Sequence, residues 1–191
     1  MSLGWRNTET ITRENWICGY CGHEVAGDIG FRRELSDDDG RKVYICPYCE
    51  NPTAFIYDGL GYPEQFPKPV MGNEVEGLPE SVESVYNEAR RCIQCAAYTS
   101  ATLALRKLLM HVAVEQGAEP GKSFVSYVAY LDENGWIPPN GKEWVDTLRT
   151  MGNEAAHEIR LVGEDDALEL LSFAELLLKF VYEFPSRVRK K

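Results

Sequence analysis

Cys18-Gly-Tyr-Cys21, followed by Gly22, and Cys46-Pro-Tyr-Cys49 are the stretches that decide the fold at the start of this chain. Each C-x-x-C pair can turn tightly and direct two thiolates toward one point, and Gly22 suits a sharp turn. Two such turns supply the four soft ligands of a tetrahedral zinc ion. We therefore predict one structural zinc ion, bound by Cys18, Cys21, Cys46 and Cys49.

The residues around these pairs predict short strands. Residues 29–35 alternate loosely, residues 36–40 form a polar turn signal, and residues 41–45 and 53–57 are typical of strands. The whole stretch, residues 1–60, resembles a zinc ribbon. With four Cys ligands the site is closed, so we expect the ion to support the fold and not to act on a substrate. We expect His23 at the surface, and the nearby aromatic residues to pack a small core instead of stacking on bases: Trp16, Tyr20, Phe31, Tyr44 and Tyr48.

Charge and composition limit the possible functions. The 191 residues include 44% hydrophobic residues, enough for a real core, and carry a formal net charge of −10. That charge argues against broad electrostatic binding to nucleic acid, which is usually supported by a basic surface. The start of the chain has no apolar signal-peptide core and no run is long enough to span a membrane, so we expect a cytoplasmic protein.

The middle of the chain changes composition. Residues 61–78 are rich in Pro and Gly, and we expect a linker through which neither helix nor strand runs. Beyond it, apolar residues recur at helical spacing, with Pro79 placed to start a helix and Ser123 placed to cap one. We predict a mainly α protein: an antiparallel bundle of about five helices over residues 79–187, after the small β-rich ribbon. Residues 188–191 form a basic tail.

The predicted last helix, residues 165–184, carries a wide apolar stripe and should be stopped by Pro185. Such a stripe is typical of a central core helix or of one that also meets a second subunit, and we expect a homodimer. Cys92 and Cys95 form a third C-x-x-C, inside the first predicted helix. Buried small residues are the simpler interpretation of this pair, and a redox dithiol is the alternative.

The predicted fourth helix, residues 142–158, contains the chemically richest stretch, Arg149-Thr-Met-Gly152-Asn153-Glu-Ala-Ala-His157. At i, i+4 and i+8 spacing, Arg149, Asn153 and His157 share one helix face. They are candidate catalytic residues for phosphodiester chemistry: Arg149 would bind phosphate, His157 would transfer a proton, and Asn153 would orient either group. The structural alternative is that Asn153 and His157 bridge helices, Gly152 permits close packing, and Arg149 pairs with an acid.

The helical part resembles an uncharacterised, HEPN-like bacterial family of domains of unknown function, often encoded in or beside restriction endonucleases. The stretches that carry the resemblance are Leu78-Pro79, Tyr86-Asn-Glu-Ala89, Tyr98-Thr-Ser-Ala-Thr-Leu-Ala-Leu-Arg106, Gly135-Trp-Ile137 and Leu148-Arg149-Thr-Met-Gly152-Asn153-Glu-Ala-Ala-His157. The resemblance covers residues 79–185 and implies a dimerising helical bundle, linked to defence or nucleic-acid systems and often preceded by a zinc ribbon. It also implies that Arg106 and Gly152 line one cleft together with Arg149, Asn153 and His157. A buried ion pair is the alternative for Arg106.

The residues and the resemblance together leave three possible functions. The first is a non-catalytic or regulatory interaction module that contacts RNA, DNA or a defence-system protein. The second is a metal-independent endoribonuclease using Arg149 and His157, and the third is a nucleotide or small-molecule sensor using the same cleft. Ribonucleases of the wider group place four to six residues between Arg and His, whereas seven separate Arg149 from His157 here. This departure and the negative charge favour the interaction module, and leave open whether the chain is an enzyme.

Overall fold

The computed structural model of the protein describes residues 4–32, 40–57, 63–137, 141, 145 and 162–189. The chain divides into two compact units, Met1–Val70 and Met71–Lys191. Each unit is described separately below. Among the described helices, none is long and apolar enough to cross a membrane.

The first unit is an antiparallel meander. Each strand pairs with the one that follows it in sequence, so the sheet order is β1-β2-β3-β4-β5. The strands are β1 Glu9–Ile17, β2 Glu24–Arg32, β3 Arg41–Ile45, β4 Pro52–Ile56 and β5 Glu64–Phe66. The β1–β2 and β3–β4 connections contain the two C-x-x-C pairs, so this topology brings both pairs to one end of the sheet.

Three aromatic side chains fill the core of the first unit. Trp16, Tyr44 and Phe55 are at most 5% exposed, and their ring centroids lie 5.5 to 5.9 Å apart. Tilted and edge-on rings at this spacing add attraction beyond the burial of apolar area. Gly27 leaves room for this core, because a Cβ at that position would lie 2.9 Å from the Trp16 ring. The expectation of core packing is therefore confirmed for Trp16 and Tyr44.

The structure confirms two of the predicted strands and adds others. The predicted strand at residues 41–45 is β3, and β4 begins one residue before the predicted 53–57. The structure adds β1, and it places β5 inside the expected linker, where we predicted no strand. Gln65 explains how so short a strand is held, since its Nε2 donates hydrogen bonds of 2.8 and 2.9 Å to the carbonyls of Ile17 and Pro67.

The second unit is helical in its described part. Its elements are α1 Glu80–Gln94, α2 Tyr98–Glu115, α3 Phe124–Glu133, α4 Glu164–Leu178, a π-helical turn Lys179–Glu183, and α5 Phe184–Arg189. Ser123 caps α3 as predicted, because its side chain accepts a 3.2 Å hydrogen bond from the Ser126 backbone. Pro79 precedes α1 and needs no amide hydrogen there.

Buried aliphatic side chains from four helices form the core of the second unit. The largest ones that are no more than 1% exposed are Ile93 of α1, Leu105 and Leu109 of α2, Leu131 of α3, and Leu170, Leu177 and Leu178 of α4. The predicted fourth helix lies almost entirely outside the described residues. Only Gly141 and Val145 of that region are described, and Val145 is fully buried in this core.

The prediction of a mainly α protein is wrong. The described residues are 46% helical and 21% strand, which makes the fold mixed α/β. Two segments contribute to the difference: the sequence pattern predicts no strand at residues 9–17 and a linker over residues 64–66. Both pair through backbone hydrogen bonds with neighbouring strands, and such pairing depends on tertiary context more than on residue type.

The segment before α1 packs against α4 and does not extend freely. The Glu175 carboxylate accepts hydrogen bonds of 2.8 and 2.9 Å from the backbone and side chain of Asn73, and it also pairs with Lys179. Burial opposes ionisation of Glu175, but Lys179 and Asn73 outweigh it and hold the pKa of that carboxyl below its usual value. Tyr86 donates a 2.9 Å hydrogen bond to the Asn73 carbonyl. Residues 71–78 therefore belong structurally to the second unit.

Pro185 does not end the last helix, contrary to prediction. The chain passes from α4 through the π-helical turn and continues as α5, whose second residue is Pro185. A proline is tolerated in the first turn of a helix, where its missing amide hydrogen leaves no bond unmade. The π-helical turn restarts the hydrogen-bond register just before Pro185, which places this residue in such a first turn.

Ala96 has a strained backbone, and its replacement by glycine should stabilise the second unit. Its φ is 58°, a left-handed conformation that ends α1, while the Ala97 amide donates a 2.8 Å bond back to the Cys92 carbonyl. Glycine adopts this conformation without steric cost, so Ala96→Gly should raise the free energy of unfolding by about 0.5–1 kcal/mol. Urea unfolding followed by helical circular dichroism measures this change.

The neighbouring alanine supplies the control for this prediction. Ala97 has a φ of −88°, which any residue adopts, so Ala97→Gly relieves no strain and should lower stability through backbone entropy. A loss of stability in Ala96→Gly equal to that in Ala97→Gly would show that the left-handed backbone at position 96 costs nothing.

Candidate metal centre

The two cysteine turns have the same backbone geometry. In the first, the Gly22 amide donates a 2.8 Å hydrogen bond to the Cys18 carbonyl, and the Cys18 amide donates a 2.9 Å hydrogen bond to the His23 carbonyl. In the second, the Glu50 amide donates a 2.9 Å hydrogen bond to the Cys46 carbonyl, and the Cys46 amide donates a 2.9 Å hydrogen bond to the Asn51 carbonyl. Each turn therefore presents its two thiols in the same way, and β2, β3 and the start of β4 hold the turns side by side.

The residue after each second cysteine must take a left-handed backbone. Gly22 has a φ of 71° and Glu50 has a φ of 61°. Glycine meets this requirement freely, whereas a residue with a side chain pays roughly 1–2 kcal/mol. The sequence alone marked Gly22 as a turn residue, but it carried no sign that Glu50 occupies the equivalent position.

The four sulfur atoms form a compact cluster. Cys18 Sγ lies 3.7 Å from Cys49 Sγ, and Cys21 Sγ lies 3.8 Å from Cys46 Sγ. All four lie within 4.8 Å of one another, and the Cys18 and Cys46 side chains are fully buried. These distances are far longer than the roughly 2.05 Å of a disulfide bond. A tetrahedron with metal–sulfur bonds of about 2.3 Å has edges of about 3.8 Å, so the cluster fits a four-coordinate metal ion.

Electrostatics distinguish one thiol of the cluster from the other three. Burial raises the pKa of Cys18, Cys21 and Cys46, so these thiols stay protonated at neutral pH in the absence of a cation. Burial also opposes ionisation of Cys49, but hydrogen bonds from the Asn51 backbone and side chain and from neighbouring thiols lower its pKa to about 7. Cys49 can therefore supply the first thiolate, and a bound cation would displace the remaining protons.

Aromatic side chains around the centre are more exposed than we expected. Tyr20 is 54% exposed and Tyr48 is 66% exposed, so the prediction that they pack a core is wrong. Each occupies the third position of its C-x-x-C, which a turn directs toward solvent. His23 is exposed, as predicted, and its ring stacks on Tyr48 with centroids 3.7 Å apart. Phe31 packs edge-on against Trp5, with centroids 6.1 Å apart.

The remaining predicted site residues belong to the second unit. Arg149, Gly152, Asn153 and His157 lie outside the described residues, so their assigned roles stay predictions. Arg106 is on α2, where its guanidinium lies 4.6 Å from the centroid of the Phe124 ring. This cation–π contact lies within the second unit, and the cleft-lining role of Arg106 stays a prediction.

The third cysteine pair ends α1 and differs from the first two. Cys95 is exposed at the carboxyl end of the helix, which contradicts its interpretation as a buried residue, whereas Cys92 is half-buried. Burial, followed by the nearby Glu88 carboxylate, raises the pKa of Cys92. The negative end of the helix dipole also disfavours a thiolate at Cys92, so this thiol lacks the activation typical of redox dithiols.

Comparison with known families addresses the second unit. The sequence model of the family described as "Domain of unknown function (DUF4145)" matches residues 87–191, more than half of the chain. The chain belongs to the DUF4145 family. The DUF4145 match starts within α1 and includes α2 to α5, whereas the four-cysteine centre lies before it. No curated protein and no solved structure matches the chain.

Proposed function

We propose that this DUF4145 protein is a non-catalytic, regulatory interaction module that contacts a nucleic acid or a defence-system protein in the bacterial cytoplasm. In this proposal a zinc ribbon precedes a HEPN-like domain that dimerises, of the kind encoded beside restriction endonucleases. The observation that carries the proposal is the closed cluster of four thiols. A centre whose four ligand positions are all filled by protein has no place for water or substrate, and so it organises a surface instead of catalysing a reaction.

Zinc is the metal that this donor set favours. Four thiolates in a tetrahedral arrangement suit zinc or an iron–sulfur centre, and hard cations such as Mg²⁺ prefer oxygen ligands. Zinc has no redox chemistry and no geometric preference that the protein must satisfy. Cys18, Cys21, Cys46 and Cys49 would hold the ion, which would join the two turns and support the sheet.

Two further observations favour binding over catalysis. The formal charge of −10 disfavours a sequence-independent nuclease, since such an enzyme must attract a polyanion. The seven residues between Arg149 and His157 also depart from the ribonuclease spacing that the resemblance implies.

An RNA cleavage assay tests the non-catalytic proposal. Purified wild-type protein is incubated with an RNA pool in EDTA-containing buffer, next to His157→Ala and Arg149→Ala. We expect all three proteins to leave the RNA intact to the same extent. Cleavage by the wild type that both variants lose would overturn the proposal and establish a metal-independent endoribonuclease. Sedimentation of the same samples measures whether the chain forms a dimer, as the proposal requires.

A further inference from the structure

A groove beside the metal centre has the features of a binding site. It has a volume of about 330 Å³ and lies wholly within the first unit. Its floor includes Ala26, Ile29 and Ile45, and the second cysteine turn borders it through Cys46 and Pro47. Sites of roughly 300–1,000 Å³ with an apolar lining and a few polar groups commonly bind small ligands or single side chains.

Trp5 forms an aromatic wall of this groove and is held in position from two sides. Its Nε1 donates a 2.7 Å hydrogen bond to the Glu50 carbonyl, and its ring packs edge-on against Phe31. Trp5 nevertheless stays 44% exposed. A large indole that is fixed in place yet open to solvent can bind a partner without a cost for ordering the side chain.

The charged side chains among the described residues that line the groove are acidic. Among its described lining residues, Asp28 and Glu50 carry carboxylates and none is a Lys or Arg. The two segments that contain the cysteine turns, residues 17–31 and 43–57, also contain no Lys or Arg. Four thiolates around a divalent ion would add further negative charge next to the groove. Phosphate groups would be repelled here, whereas a cation would be attracted.

The geometry points to a site for a Lys or Arg side chain of a protein partner, bound in the groove formed by Trp5, Ala26, Asp28, Ile29 and Glu50. The aliphatic part of the partner's side chain would cover Ala26 and Ile29. Its cationic end would meet the Trp5 ring and the Asp28 carboxylate, and tryptophan is the most favourable aromatic residue for a cation. The inference rests on the proposed interaction role. It assigns the first unit a basic protein segment as its binding partner, instead of a nucleic acid.

Calorimetric titration of the full-length, zinc-loaded protein with a hexa-arginine peptide at 0.15 M salt tests the site. Trp5→Ala should weaken binding by about five-fold or more, in the range of a partly desolvated cation–π contact. Trp5→Phe, which keeps a ring but loses the hydrogen bond to Glu50, should bind more tightly than Trp5→Ala. Asp28→Asn should weaken binding by about three-fold, the scale of one partly exposed charge pair. Zinc content and circular dichroism confirm that each variant is folded.

Glu24→Gln is the matched control, because Glu24 is an exposed acid on the same strand but does not line the groove. Its affinity for hexa-arginine should equal that of the wild type. Equal weakening by Glu24→Gln and Asp28→Asn would overturn the site in favour of general surface charge. No binding of the peptide, or wild-type affinity in both Trp5 variants, would also overturn it.

A single-stranded oligothymidine titrated in the same way separates the two classes of partner. We expect no binding, and Trp5-dependent binding of the oligonucleotide in place of hexa-arginine would overturn the inference. The proposed function fails by a different result, namely RNA cleavage that depends on His157. If RNA is cleaved, Trp5-dependent binding of hexa-arginine would still establish the site. If RNA is not cleaved and hexa-arginine does not bind, the site is rejected and the proposed function stands.

Discussion

Cys18→Ser is expected to abolish metal binding and to unfold the first unit, while the helices of the second unit remain folded. Serine supplies a hydroxyl that binds zinc weakly in place of a fully buried thiolate. The apparent binding free energy of a structural four-ligand zinc site is about 10–16 kcal/mol at neutral pH, and in small domains this is folding free energy. Without its two cysteines, the described core cluster of the first unit has only four buried residues, which cannot replace such a contribution: Ile11, Trp16, Tyr44 and Phe55.

Two measurements check this result. Elemental analysis should find one zinc per wild-type chain and none in Cys18→Ser, and limited proteolysis should cleave only the first unit of the variant. Cys95→Ser is the matched control, because Cys95 is an exposed thiol that lies outside the cluster. It should keep one zinc and full resistance to protease. A Cys18→Ser protein that retains a full equivalent of zinc would reject the four-cysteine centre, and a wild type without zinc would reject the proposed ion.

Gly30→Ala is expected to lower the free energy of unfolding of the first unit by about 3 kcal/mol or more. This is at or above the upper end of the usual cost of inserting extra atoms into a well-packed interior. A Cβ at position 30 would lie 1.9 Å from the Val43 carbonyl oxygen and 2.9 Å from its carbon. These are backbone atoms, so no side-chain rotation relieves the clash. Gly30 pairs with Tyr44 in the ladder between β2 and β3, which keeps the two cysteine turns adjacent. The strands must therefore separate locally, and the cluster should loosen with them.

Zinc release during urea unfolding measures this effect, with a colorimetric chelator as the reporter. The midpoint of release should shift to clearly lower urea in Gly30→Ala. Gly4→Ala is the control, since a Cβ there meets nothing within 4 Å, and its midpoint should match the wild type. Release from Gly30→Ala at the wild-type midpoint would show that the β2–β3 ladder does not hold the centre together.

Local sequence signals predicted the elements that depend on local chemistry. The starts of α1 and α3 follow Pro79 and Ser123 as predicted, because a proline or a capping serine acts within a single turn. The cysteine spacing likewise predicted the metal-capable cluster, since a C-x-x-C turn positions two thiols by itself. By contrast, β1 and β5 were missed because a strand is stabilised by partners distant in sequence, as Gln65 and Ile17 illustrate.

The sequence by itself determined the cluster of four thiols, the helical segments of the DUF4145 domain and the negative charge, because each depends on residue identity at short range. Only the tertiary structure decided that the fold is mixed α/β, that Pro185 lies within a continuing helix, and that Tyr20 and Tyr48 face solvent. It also brought Trp5, Asp28 and Glu50 to one groove beside the cluster. Strand pairing makes such neighbours, and because it joins residues far apart in the chain, no local pattern records them.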